Sequence, residues 1–188
     1  MRSTRRAAWR LLPLALLLGL AAAPALAEDR IAVFDPELLD TSGEGVRPDQ
    51  QRRLAMIGQE LRQALAASGR YVVVDVAPQR ARLAEGPALR RDVDHHIAAG
   101  RREGLAQLLA DHGEAAEALG AELALVTVVQ KVSNLILSIT LSVLEAAPSE
   151  ARRAVYSAEI RGNTDESWQR GLRWLLRNRL LAAPEGTR

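Results

Sequence analysis

Asp92, Asp94, His95 and His96 lie close together in the chain, and His112 follows 16 residues after His96. Imidazole and carboxylate are the donor set for zinc or another divalent ion. If 92–99 is helical, Asp92 and His96 share one face at i, i+4. Against a metal site, no His-Glu-x-x-His pattern occurs, and adjacent histidines seldom aim both rings at one ion. The plainer reading of these residues is a solvated, charged connection, and both readings stay open at this point.

Other groups that could do chemistry have plainer alternatives beside them. Gln130, Lys131, Ser133 and Asn134 are polar residues between two apolar runs, and Lys131 is the only lysine. A Lys–Ser pair could serve as base and nucleophile; equally, Ser133 or Asn134 could close a hairpin turn. Asp165 and Glu166 could form an acid–base pair, but carboxylates in the first turn of a helix also offset its dipole. No Gly-x-Ser-x-Gly, phosphate-binding glycine loop or dinucleotide fingerprint is present. The reading is therefore no enzyme, with no catalytic residue and no cofactor assigned.

Trp168 and Trp174 are six residues apart, so one helix cannot present both on one face. Trp168 reads as core. Trp174, with Arg173 and Arg177 beside it, could be an exposed partner hot spot or a partly buried side chain, and both readings stay open. The loop 36–48, with Glu37, Asp40 and Glu44, is a second possible contact region.

The elements that must hold these residues follow from periodicity. Arg30–Asp35 reads as a buried strand, 36–48 as a loop, and Asp49 as the cap of a helix to about Ser68. Leu54, Ile57, Leu61 and Leu65 give that helix one apolar face. Tyr71–Val76 is β-branched and reads as a second strand, parallel to the first across the helical crossover. Residues 77–103, broken by Pro78, Gly86, Pro87 and Gly100, read as an irregular connection. A helix over Leu105–Leu119 precedes a continuous apolar strand, Ala121–Val129. In 134–144, Leu135, Leu137, Ile139, Leu141 and Val143 alternate with Ile136, Ser138, Thr140 and Ser142, which predicts a strand with one face wet over most of its length. Val155–Ile160 reads as a further strand. Asn163 then caps a final helix with Glu166 in capping-box position, and Trp168, Leu172, Leu175, Leu176 and Leu180 form its buried stripe. The fold class expected is α/β, a mixed sheet of about five strands in the order β-α-β-α-β-β-β-α with helices packed on it.

The segments Ile31-Ala-Val-Phe-Asp35, Leu61-Arg-Gln-Ala-Leu65, Ser68-Gly-Arg-Tyr71, Gln130-Lys-Val-Ser-Asn-Leu-Ile-Leu137 and Arg161-Gly-Asn-Thr-Asp-Glu-Ser-Trp168 resemble a domain-of-unknown-function family of predicted secreted bacterial proteins. The resemblance implies no activity. The order of elements is more distantly similar to envelope assembly modules, the TolB amino-terminal domain and the curli secretion lipoprotein. Members of the family often carry Cys-x-x-Cys after a Leu-Arg dipeptide. Here Leu89-Arg90-Arg91 runs into Asp92-Val-Asp-His95, and the chain has no cysteine. Asp and His could still hold a metal there but could not form a disulfide.

The first 27 residues set the compartment. Arg2, Arg5, Arg6 and Arg10 precede 13 apolar residues, Leu11–Ala23, and then Ala25-Leu26-Ala27. A basic start, a short apolar middle and an Ala-x-Ala end read as a cleaved signal peptide. The apolar run is shorter than the ~20 residues a membrane helix needs. Without cysteine there is no site for a lipoprotein anchor. Removing the four leader arginines leaves 21 basic and 23 acidic groups, so the basic balance of the whole chain is no sign of nucleic-acid binding. The expectation is an exported, periplasmic or secreted protein whose residues 28–188 form one domain that binds another envelope protein. The alternative is a periplasmic metal- or small-ligand-binding protein using 92–112.

Overall fold

The computed structural model describes residues 28–43, 47–85, 99–146 and 152–182. The expected leader, 1–27, and the candidate ligands Asp92, Asp94, His95 and His96 lie outside the described residues.

The described residues share one mixed sheet. Its strands are β1 (Asp29–Val33), β2 (Glu37–Asp40), β3 (Tyr71–Val74), β4 (Leu123–Lys131), β5 (Ile136–Glu145) and β6 (Arg152–Arg161). The main path runs β3-β1-β4-β5-β6, and β2 also pairs with β4. The helices are α1 (Pro48–Ala67), α2 (Ala77–Glu85), α3 (Ala99–Ala118) and α4 (Asp165–Leu175), the last continuing as a π-helical segment, Leu176–Leu180. β3 and β4 both run parallel to β1, on its two sides. The two crossovers thus travel in opposite directions. A right-handed connection in each puts α1 on one face of the sheet and α3 on the other.

One core lies under α1 and α4. Leu54, Ile57, Leu61 and Leu65 of α1 and Trp168, Leu172 and Leu175 of α4 pack on Ile31, Leu125, Leu137, Ile139, Leu141 and Ile160. The second core is smaller: Leu108, Leu109, Ala115 and Ala116 of α3 cover Ala32, Phe34, Ala124, Val126 and Leu144. α3 covers β1 and β4 and only the end of β5. The outer face of β5–β6 is left wet, where Ser157 Oγ lies 3.1 Å from both Ser138 Oγ and Thr140 Oγ1.

Several sequence expectations need correction. The sheet has six strands, because β2 occupies the expected loop 36–48. β1 covers only Leu123–Leu125 of the nine-residue β4, and β2 pairs along the remaining edge, Val128–Lys131. Pro36, which has no N–H to give a ladder, separates the two short strands. The expected irregular segment 77–103 contains α2 and the start of α3. Pro78 stands in the first turn of α2, where a missing N–H costs nothing, and Asp75 Oδ1 accepts the Ala77 N–H at 3.0 Å. α1 begins two residues early, with Arg47 as its cap and Asp49 inside the first turn. The cap of α4 is Thr164, with Ser167 rather than Glu166 completing the capping box. Leu135 is 72% exposed, in the turn before β5 rather than on its apolar face. Lys131, where the sequence reading begins the hairpin turn 131–134, is instead the last residue of β4.

Candidate functional site

The C-terminal third of the chain builds an open groove beside a half-exposed tryptophan. It begins at Asn163, whose Oδ1 accepts both the Trp168 Nε1–H and an Arg53 guanidinium N–H, each at 3.0 Å. Arg53 also donates to Asp165 Oδ1 at 2.7 Å and lies 2.9 Å from Asp49 Oδ2. The Arg53 hydrogen bond, reinforced by Arg52, holds the Asp165 carboxyl below the usual carboxylate range. The carboxylate, weighed from the sequence as an acid or base against a helix-capping role, is held ionised by a structural contact between α1 and the start of α4.

One turn on, Gly171 lets α4 settle on β6. A Cβ at Gly171 would stand 2.2 Å from Ile160 Cδ1, so only glycine allows this approach. Trp168 is fully buried, and Trp174 is 42% exposed. Arg179 stacks over the Trp174 ring at 5.5 Å from its centroid. Arg173 is exposed but paired with Glu60. Arg177 is exposed. A groove of about 560 Å³ runs between β6 residues 157–161 and Arg170, Gly171 and Trp174 of α4. Of the surface residues named from the sequence, Trp174 lines this groove. The sequence reasoning missed Arg161, Arg170 and Gly171, because their relation to Trp174 arises only when β6 and α4 pack together.

A smaller pocket of about 310 Å³ opens at the carboxyl end of β1, lined by Phe34, Asp35, Val76, Arg80 and His112 among others. Asp35 is already engaged by Arg62 and, at 3.1 Å, by Arg80. His112 Nδ1 lies 2.6 Å from the Leu108 carbonyl oxygen, a contact that requires the proton on Nδ1. The ring meets Phe34 edge-on, with centroids 4.6 Å apart. Among the described residues, no three His, Asp or Glu side chains converge as metal ligands.

Burial pushes the His112 pKa down, which fixes the sign of a pH effect. Above the ordinary imidazole value of about 6.5, the ring is neutral in both folded and unfolded chains. Below it, the unfolded chain takes up a proton first, so stability falls with pH until the folded ring also titrates. The loss of unfolding midpoint between pH 7.5 and 5 should shrink in His112→Leu, measured by urea titration at each pH. An unchanged pH slope would show that His112 carries none of it.

The Lys131–Ser133 pair is also structural. Ser133 Oγ accepts the backbone N–H groups of Leu135 and Ile136, each at 3.2 Å, and so closes the turn. Lys131 is fully buried, with Nζ 3.6 Å from Asp40 Oδ2.

Among the described residues, no helix is long and apolar enough to cross a membrane. A search of the curated proteins gives no match. Among solved structures, the chain is similar to the LpoB C-terminal domain from Escherichia coli, at 14% identity and a TM-score of 0.45, over 75% of this chain and 88% of that one. It is similar to the LpoB C-terminal domain from Salmonella enterica at 12% identity and 0.42, over 71% and 83%. The hypothetical protein CT253 from Chlamydia trachomatis matches at 12% and 0.45, over 82% and 96%. Residues 29–180, from the first residue of β1 to the end of the π-helical segment, match a family of unknown function, as the sequence motifs implied. The chain belongs to that family, described as "Protein of unknown function (DUF2380)".

Proposed function

We propose that this protein is exported and serves as a non-catalytic module that binds another envelope protein through the surface around Trp174. One observation carries the reading: α4 buries Trp168 completely yet leaves Trp174 42% exposed, beside an open groove. A large rigid aromatic next to guanidinium groups is the composition of an interface hot spot. The leader peptide supports the compartment. Arg173 is tied to Glu60, so Arg177 and Arg179 are the cations at hand for a partner.

The test is a photo-crosslinking residue in place of Arg177 in living cells, with the captured protein identified, purified and titrated. Trp174→Ala should weaken that binding by ~30-fold or more, the ~2 kcal/mol expected of a hot-spot residue. Arg173→Ala should weaken it much less. Trp174→Ala should leave the thermal midpoint nearly unchanged. A partner whose affinity ignores Trp174→Ala would refute the assignment.

A further inference from the structure

We propose that the outer edge of β6 is a strand-addition site: an extended acidic segment of the partner pairs along it and rests an apolar side chain in the groove beside Trp174. This rests on the binding-module reading above and specifies its mode and chemistry.

The edge itself is the first observation. β6 is ten residues long and ends the sheet path, and among the described residues only β5 pairs with it. The Gly162 N–H donates to Leu135 O at 2.9 Å, in register with the β5–β6 ladder. Antiparallel strands alternate the direction of their backbone groups. Ile160, Ala158 and Tyr156 therefore spend theirs on β5, while Val155, Ser157, Glu159 and Arg161 present N–H and C=O groups to the open side. Such a row is a template for another strand.

The groove supplies the second observation. It follows β6 over 157–161, and α4 forms its far wall. An added strand would turn alternate side chains toward α4, on the face of Ala158 and Ile160, and one of them would meet the Trp174 ring.

Charge selects the occupant. Arg161 and Arg170 line the groove and are exposed, and no described carboxylate pairs with either. Arg177 and Arg179, exposed on the π-helical segment that continues α4, add further basic groups. Glu159 is the one acidic side chain in the lining. An acidic strand with an uncharged residue opposite Glu159 complements this pattern. A second copy of this chain brings the same arginines to the edge: an antiparallel self-pair centred on Ser157, for one, sets Arg161 opposite Arg153.

The probe is the blocked peptide acetyl-Glu-Val-Thr-Val-Thr-Val-Glu-amide, titrated onto residues 28–188 by amide-resolved NMR. The expected result is saturable binding, with amide shifts at Val155, Ser157, Glu159 and Arg161. Replacing both peptide glutamates by lysine should weaken it at least ~10-fold. Ser157→Pro removes an N–H from the open side without touching the β5 ladder, and should weaken it at least ~10-fold. N-methylating alternate peptide amides should do the same while leaving the protein unaltered. If binding depends on Trp174 but ignores both Ser157→Pro and N-methylation, strand addition is wrong while the Trp174 surface stands. A concentration-dependent dimer abolished by Ser157→Pro would put a second copy on this edge and overturn the proposal. Absence of saturable binding would overturn it too, leaving the crosslinking experiment to judge the Trp174 surface separately.

Discussion

Asp40→Ala should lower the unfolding free energy by about 3–5 kcal/mol, the usual cost of removing one partner from a buried ion pair. Lys131 is the only lysine in the chain, it is fully buried, and its ammonium lies 3.6 Å from Asp40 Oδ2. The other Asp40 oxygen accepts the Ser42 N–H at 2.8 Å and the Ser42 hydroxyl at 2.6 Å. The carboxylate thus ties β2 to β4 and to the turn after β2. Losing it takes a carboxylate away from a desolvated cation and releases the short strand that covers it. In a domain of this size the loss corresponds to roughly 6–20 °C in thermal midpoint. The double variant Asp40→Leu with Lys131→Met should recover most of the loss, since replacing a buried pair by apolar residues of similar volume is often neutral or better. Urea unfolding of the two variants decides the matter. A single variant as stable as the parent would mean that other groups or water stabilise the Lys131 cation.

Trp168→Ala should cost about as much, ~3–5 kcal/mol, by a different mechanism. Trp168 heads the fully buried side chains by volume and stands where α4 meets β5 and β6. Truncation opens a cavity that helices anchored at both ends cannot fill. Its indole N–H is also satisfied, by Asn163, which Arg53 holds in place. Trp168→Phe should therefore cost less than Trp168→Ala but more than a change of volume alone, because the polar contact goes as well. Trp174→Ala, six residues on, should shift the unfolding midpoint by no more than an ordinary surface substitution, within ~0.5 kcal/mol. Calorimetry on the two alanine variants separates a core tryptophan from a surface one. Equal losses would mean that Trp174 is part of the core and would remove the basis for the partner surface.

Spacing put the two tryptophans on different faces of the last helix, but it left Trp174 open between partial burial and the surface. The apolar stripes of α1 and α4 were equally plain and are where the periodicities put them; the alternation of β5 holds over 137–141, but Ser142, expected on the wet face, is buried. β2 was hidden. Four residues carry too little pattern, and β2 forms because β1 leaves half of β4 unpaired. α2 was hidden by Pro78, which breaks a helix in its middle but suits its first turn. The capping of α4 slipped by one residue because Asn163, a good cap by type, is drawn into hydrogen bonds with Arg53 and Trp168.

By itself the sequence determined the α/β class, the apolar faces of the long elements, the leader-like start and membership in a family without an assigned activity, because periodicity and motifs are local properties. Only the tertiary structure decided that Lys131 is a buried half of an ion pair and Asp165 a structural anchor. Only it placed Trp174 beside a groove on an open strand edge. Each of these depends on residues far apart in the chain: Asp40 and Lys131 meet through a β2–β4 pairing, and the groove exists because Gly171 lets α4 lie against Ile160. Long-range packing sets burial and charge environment, and those decide whether a lysine, an aspartate or a tryptophan does chemistry, holds the fold or meets a partner.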